Sequence, residues 1–227
     1  MRTKASKAES GFTMVEILIA VAIIGVLTAM TIPDITRWMG DQRLKAAARS
    51  VSDLLLMARG EAVRSGRNHF VCFSRDAAGA PIPDATGVAV PGLYLRDDDG
   101  TGPLPAPNGT IDANEPRVFL PTVTGVQFGV TSATVAAPSD PNPNATFNTT
   151  GLTFQNGAGG AARCVVFQPD GVPRGYSIAG VYTEGAIGTG GGAVYVTNGR
   201  RDYAVVLSPL GAVRVTTWER TLNAWRN

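Results

Sequence analysis

GFTMVEILIAVAIIGVLTAMTIP, residues 11–33, decides how the rest of the chain is read. From Ile17 to Ile32 no residue is charged, yet Glu16 puts a carboxylate at the mouth of the run. Phe12 to Pro33 as a helix covers about 33 Å at 1.5 Å per residue, close to the thickness of a hydrocarbon core. Arg2, Lys4 and Lys7 precede the run, against Glu9. No small-residue cleavage site follows it, so it reads as retained rather than as a removed secretory signal. The basic flank keeps residues 1–10 in the cytoplasm and sends the remainder outward across an inner membrane, as a single span. A carboxylate in such a place is costly and calls for a positive partner. The nearest would be a free amine, made by cutting the chain before Phe12.

The hexapeptide Gly11-Phe12-Thr13-Met14-Val15-Glu16, followed by an apolar run and Pro33, resembles the type III signal sequence of type IV pilins and pseudopilins. The resemblance implies that a prepilin peptidase cuts between Gly11 and Phe12, and that Phe12 becomes an N-methylated terminus. It further implies that Glu16 pairs with a neighbouring subunit's amine during assembly, and that the segment up to Pro33 becomes filament core. Without residues 1–11 the chain carries 17 basic and 17 acidic side chains.

Beyond Pro33 the helical period continues. Leu44, Ala47, Ala48, Val51, Leu54, Leu55, Ala58 and Ala62 recur at spacings of three and four, one apolar stripe suited to packing on a sheet. Arg37, Asp41, Lys45 and Arg49 follow another face at four-residue steps. Ser65-Gly66 is a stop signal. A single helix over residues 12–65 is therefore expected.

After Gly66 the texture changes to short β-rich runs: HFVCFSR, GLYLR, RVFLP, GVQFGV, ATFN, GLTF, CVVFQP, GAVYVTN, DYAVVLS and AVRVTTW. Turn-rich stretches separate them, and no internal repeat stands out. The fold class is α+β, a long helix on antiparallel sheets. "GLYLRDDDG…NEPRVFL", "CVVFQPDGVPRG" and "YAVVLSPLGAVRV" look like segments of the GspH/FimT family of minor pilins and pseudopilins. The expected organisation is a leader at 1–11, a transmembrane or filament-core helix at 12–33, an amphipathic continuation at 34–66 and a GspH/FimT-like β domain at 67–227.

Charge is unevenly spread. Residues 34–75 hold eight Lys/Arg against four Asp/Glu, residues 76–162 two against eight, and residues 163–227 seven against four. The formal net charge of +2 is too small to argue for a nucleic-acid binder by itself. Cys72 and Cys164 lack the spacing of a zinc site. A disulfide fits an extracytoplasmic domain, and two buried thiols fit equally.

Catalytic signatures are missing from the sequence. His69 is the one histidine, no G-x-S-x-G, H-E-x-x-H or G-x-x-x-x-G-K-[ST] pattern occurs, and Gly190-Gly191-Gly192 reads as a flexible loop. The chain is not expected to be an enzyme or to need a cofactor. The best metal candidates are Asp97 and Asp99 in Asp97-Asp98-Asp99-Gly100, with Asp112 and Glu115 downstream, hard oxygens that suit calcium although the spacing is not that of an EF-hand.

The expected role is a minor pilin or pseudopilin that primes or caps a type II secretion pseudopilus or a type IV pilus. Its partners would be the prepilin peptidase and other pilin subunits, met through the N-terminal helix. The alternative is a DNA-binding minor pilin of a competence-type pilus. Some FimT-like minor pilins bind DNA through a basic Gly-Arg-x-Arg element, and the corresponding place is Gly211-Ala212-Val213-Arg214, where the first Arg is absent. Arg200, Arg201 and Arg214, with Arg220, Arg226, Trp218 and Trp225, are the candidate contacts.

Overall fold

A computed structural model describes residues 12–74, 80–84, 86–96, 117–144, 147–177 and 183–226. The chain divides into two units, Met1–Gly40 and Asp41–Asn227. The first contains the start of α1 (Met14–Ser65), a helix whose 52 residues continue without a break through Pro33. The described side chains there are exposed: Phe12 is 80% exposed, and the aliphatic residues from Val15 to Leu27 are all open.

In the second unit α1 buries all eight positions of the apolar stripe that the spacing predicts. Each of the larger ones, Leu44, Val51, Leu54 and Leu55, contributes about 1.5–3 kcal/mol by leaving water. The helix ends where expected. Gly66 takes a left-handed φ of 66° and its N–H donates to the Ala62 carbonyl at 3.1 Å.

Thirteen strands follow: β1 (His69–Cys72), β2 (Ile82–Pro83), β3 (Ala89–Val90), β4 (Gly92–Arg96), β5 (Arg117–Leu120), β6 (Gln127–Phe128), β7 (Cys164–Phe167), β8 (Pro173–Ser177), β9 (Thr183–Glu184), β10 (Gly192–Thr197), β11 (Asp202–Leu207), β12 (Val213–Glu219) and β13 (Ala224–Arg226). One sheet has the order β5-β4-β1-β7-β8-β9, the other β13-β12-β11-β10-β6, and β2 and β3 form a separate hairpin. Neighbouring strands are antiparallel throughout.

The helix stripe packs into one core with both sheets. Val71, Val165 and Phe167 of the first sheet and Val194, Val196, Val205 and Leu207 of the second join the helix stripe in one core. The alternate residues face away and are covered too, Phe70, Cys72, Val166 and Tyr176 in one cluster and Ala193, Tyr195, Ala204 and Val206 in another. Burial on both faces is why CVVF and AVVL read as unbroken apolar runs rather than as alternation.

Some expectations need correction. Residues 147–150, from the ATFN run, form a turn, with Phe147 packed 5.6 Å from the Tyr195 ring. GLTF makes only an isolated bridge, Leu152 to Val194, because Gly151 at φ 70° interrupts extended backbone. Gly190-Gly191-Gly192 is not a flexible loop. All three are buried, and a Cβ on Gly190 would strike the backbone of Pro173 and Arg174. The glycines let two backbones touch.

An internal repeat is also present, although none stood out in the sequence. CVVFQPDGVPRG (164–175) and AVVLSPLGAVRV (204–215) form the same hairpin, β7–β8 in one sheet and β11–β12 in the other. In both, a glycine at positive φ, Gly171 at 74° and Gly211 at 85°, donates to the carbonyl three residues back, at 2.8 and 2.9 Å. Val165 and Phe167 match Val205 and Leu207 on the helix side, and Val166 matches Val206 on the outer side. A 40-residue offset with only five identities in twelve is a faint signal until the two hairpins are seen together.

Candidate assembly and interaction surfaces

The start of α1 is a local device that the sequence spells as Thr-x-x-Glu. Thr13 Oγ1 accepts the Glu16 N–H at 3.2 Å, and the Glu16 carboxylate lies 3.5 Å from both the Thr13 N–H and its hydroxyl. This is a loose capping box, which satisfies N–H groups that the first helical turn leaves unpaired. It was legible as a spacing and was overlooked in favour of the distant partner. The carboxylate is exposed, so it is available to a second chain. Pro33 is helical within α1. Gly11 lies outside the described residues, and so do Asp97, Asp99, Asp112 and Glu115 of the calcium suggestion.

Among the described residues no helix is long and apolar enough to cross a membrane. By sequence the uncharged run continues to Ile32.

Cys72 and Cys164 stand opposite each other on neighbouring strands, with Cα atoms 4.1 Å apart, and the structure joins them by a disulfide across 92 residues of sequence. Both are buried. His69 is buried in β1, its Nδ1 2.9 Å from the Arg67 carbonyl oxygen. No group of three or more His, Cys, Asp or Glu that could hold a metal occurs among the described residues.

The candidate DNA contacts converge only in part. Arg201 precedes β11 and pairs with Asp41 of α1 at 3.2 Å, where Asn198 Nδ2 also donates at 3.0 Å. Arg214 faces Val206, near the opposite end of β11. Five residues of strand, about 17 Å, separate them. Trp218 is 5% exposed and packs edge-on against Trp225, whose indole N–H donates to the Val135 carbonyl. Trp218 is thus buried in the wall of a cleft, and Trp225 is half-buried. Arg200, Arg201 and Arg220 do rim a shallow cleft of about 350 Å³, with Glu219 among them. Arg220 reaches across to Ser132, and Arg226 pairs with Glu219 at 3.5 Å.

Two buried carboxylates escaped the sequence reading, because isolated aspartates give no warning of burial. Asp202 accepts the N–H groups of Thr131, Ser132 and Ala133 at 2.7–2.9 Å and so shapes the approach to the second sheet. Asp140 accepts from the Thr153 hydroxyl and the Tyr195 hydroxyl, both at 2.8 Å, and from the Asn142 N–H at 3.0 Å. Burial raises the Asp140 carboxyl above its ordinary value despite those hydrogen bonds. Burial, and then the Asp140 charge, push the Tyr195 hydroxyl up as well. The group is a structural tie within the second sheet's outer cluster. A separate apolar hollow of about 260 Å³ opens beside α1, lined by Val51, Phe73, Leu120, Val126 and Phe128.

The family model for the prokaryotic N-terminal methylation motif matches residues 6–32. No solved structure matches the chain. The motif covers the predicted cleavage point, the capping box and the exposed apolar half of α1. Such a motif implies processing by a prepilin peptidase and assembly with other pilins. Together with a helix packed on antiparallel sheets, it supports a type IV pilin-like protein.

Proposed function

We propose that the chain is a minor pilin or pseudopilin of the GspH/FimT kind, which primes or caps a type II secretion pseudopilus or a type IV pilus. It works by assembly and not by catalysis. A prepilin peptidase cuts between Gly11 and Phe12, Phe12 is N-methylated, and the protein waits in the inner membrane with its β domain on the periplasmic side. On assembly the exposed apolar half of α1 leaves lipid for a bundle of neighbouring helices. There an unpaired carboxylate would be costly, so Glu16 takes the amine of a neighbouring subunit.

The observation that carries the reading is the matched motif, lying over an apolar helical face that the chain itself leaves uncovered. A DNA-binding tip has less to rest on, since Arg201 is paired, Arg214 stands apart and Trp218 is buried. Intact mass and N-terminal sequencing of the protein from its own membrane test the proposal. A chain starting at N-methyl-Phe12 supports it. A chain still starting at Met1, in cells with active prepilin peptidase, leaves a tethered β domain instead.

A further inference from the structure

The two repeated hairpins serve as internal controls for one another. In the first, Asp170 does two jobs. Its Oδ1 accepts the Val172 N–H at 2.8 Å, closing the turn, and its Oδ2 meets Arg174 Nη2 at 3.4 Å. The Arg174 side chain is 20% exposed. In the second hairpin the equivalent residues are Leu210 and Arg214. The turn-closing task has passed to Ser208, whose Oγ accepts the Ala212 N–H at 2.9 Å. Leu210 is left with no part in the turn. At 70% it is the most exposed large apolar side chain among the described residues of 41–227. Arg214, deprived of its acidic neighbour, is exposed, and its guanidinium makes no hydrogen bond or ion pair among the described residues.

The fold accepts an aspartate and an internal ion pair in this hairpin, as the first copy demonstrates. The second copy offers water an isobutyl group and a bare guanidinium instead. Neither choice helps this chain to fold, and a lone exposed apolar knob beside an unpaired charge is the chemistry of a contact. We propose that the 208–214 turn is a docking surface for a neighbouring filament subunit of the same fold, with Leu210 entering an apolar depression and Arg214 meeting a carboxylate at its edge. The proposal rests on the assembly reading above.

The fold supplies a depression of that kind. The hollow lined by Val51, Phe73, Leu120, Val126 and Phe128 is also bounded by Pro81 and Val90, at the base of the β2–β3 hairpin. Asp84 sits in that hairpin's turn, half-buried, its Oδ1 accepting from Thr86 and Val88. Knob and hollow are different surfaces, so their contact is head-to-tail, the kind that propagates instead of closing. A phosphate backbone is a poorer fit. It would meet one cation beside an apolar tip, with Arg200 and Arg201 beyond the far end of β11.

The full-length chain, expressed in its own host, provides the test. Leu210→Asp rebuilds the first hairpin's Asp–Arg pair, so its unfolding midpoint should match the unmodified chain while recovery in the sheared filament fraction falls about tenfold, the equivalent of one lost contact of moderate strength. Arg214→Glu, at an exposed position, should do the same, and Leu210→Met should assemble normally. Unchanged recovery for Leu210→Asp and Arg214→Glu, in cells where Glu16→Ala blocks incorporation, overturns the docking surface and leaves the assembly reading intact. Full incorporation of Glu16→Ala overturns that reading, and this proposal with it. Loss of duplex DNA retention by Arg214→Glu with normal filament recovery would make the turn a polyanion site and refute the subunit contact.

Discussion

Arg59 reaches from near the C-terminal end of α1 to the turn of the second repeated hairpin, its Nη1 donating to the Gly211 carbonyl oxygen at 2.9 Å. Gly171, the equivalent glycine of the first hairpin, lies against the same side chain and against Val63. One arginine thus braces both turns against the helix. Arg59→Ala removes a charged hydrogen bond and the packing of the stem, and should cost about 1.5–3 kcal/mol in thermal or denaturant unfolding of the purified chain. Gly211→Ala should be worse than a typical surface change. Its φ of 85° is strained for alanine, and the added Cβ would lie 2.9 Å from the Gly171 carbonyl oxygen. An unfolding midpoint unmoved by either substitution would mean that the helix is held by its apolar stripe alone.

The glycines divide into two classes that substitution should separate. Gly190 is pressed against Pro173 and Arg174, so Gly190→Ala should destabilise severely or prevent folding. Gly60 lies in the interior of α1 with nothing within 4 Å of its missing Cβ. There alanine should stabilise by about 0.5–1 kcal/mol, the usual gain in an exposed helix. Circular dichroism melts of the two variants side by side check both signs.

How much of this was legible follows from which physics is local. The helix stripe from Leu44 to Ala62, the Gly66 stop and the apolar strands could be read because period and turn chemistry are written in neighbouring residues. Asp140, Asp202 and Arg59 could not. Their roles depend on partners 13 to 152 positions away, and nothing in their local sequence differs from that of a solvated charge. The Gly190–Gly192 run misled for the same reason, since a close approach of two backbones and a flexible linker use the same residue. At the candidate site the N-terminal motif around Gly11, Phe12 and Glu16 was readable, and a family model matches it. The scatter of Arg200, Arg201 and Arg214 appeared only when the register placed them at opposite ends of β11.

The disulfide gives a prediction of its own. Cys72 and Cys164 close a loop of 92 residues, and by chain-entropy reasoning removing such a link costs about 2–5 kcal/mol. Protein from its native compartment should resist alkylation until reduced, and Cys72→Ser/Cys164→Ser should melt well below the unmodified chain. Alkylation of both thiols in the unreduced, denatured protein would show that they are simply buried.

Asp140 should make stability depend on acidity in a distinctive direction. Its folded pKa is raised above the ordinary value of an aspartate, chiefly by burial. The folded state therefore binds the proton more tightly than the unfolded chain. That contribution is fully present below the unfolded value and fades as pH rises through the folded one. Asp140→Asn keeps an acceptor for Thr153 and Tyr195 but cannot ionise. The unmodified chain should lose ground against it as pH climbs from about 4, by at most about 1.4 kcal/mol per pH unit. Urea titrations of both proteins across that range measure the difference. A difference that stays flat with pH would mean that Asp140 ionises in the fold as it does in water.

Glu16 has two separable uses, and a conservative substitution distinguishes them. As the last residue of the capping box it needs only an acceptor for the Thr13 N–H, which glutamine can supply. As the partner of a neighbouring amine it needs its charge. Glu16→Gln should therefore leave the start of α1 helical while lowering recovery in sheared filaments as far as Glu16→Ala does, because a neutral amide in the bundle leaves the amine unpaired. Helix content by circular dichroism in detergent, set beside filament recovery in cells, reads the two roles independently. Normal assembly of Glu16→Gln with failure of Glu16→Ala would assign the residue to capping and move the charge partner elsewhere.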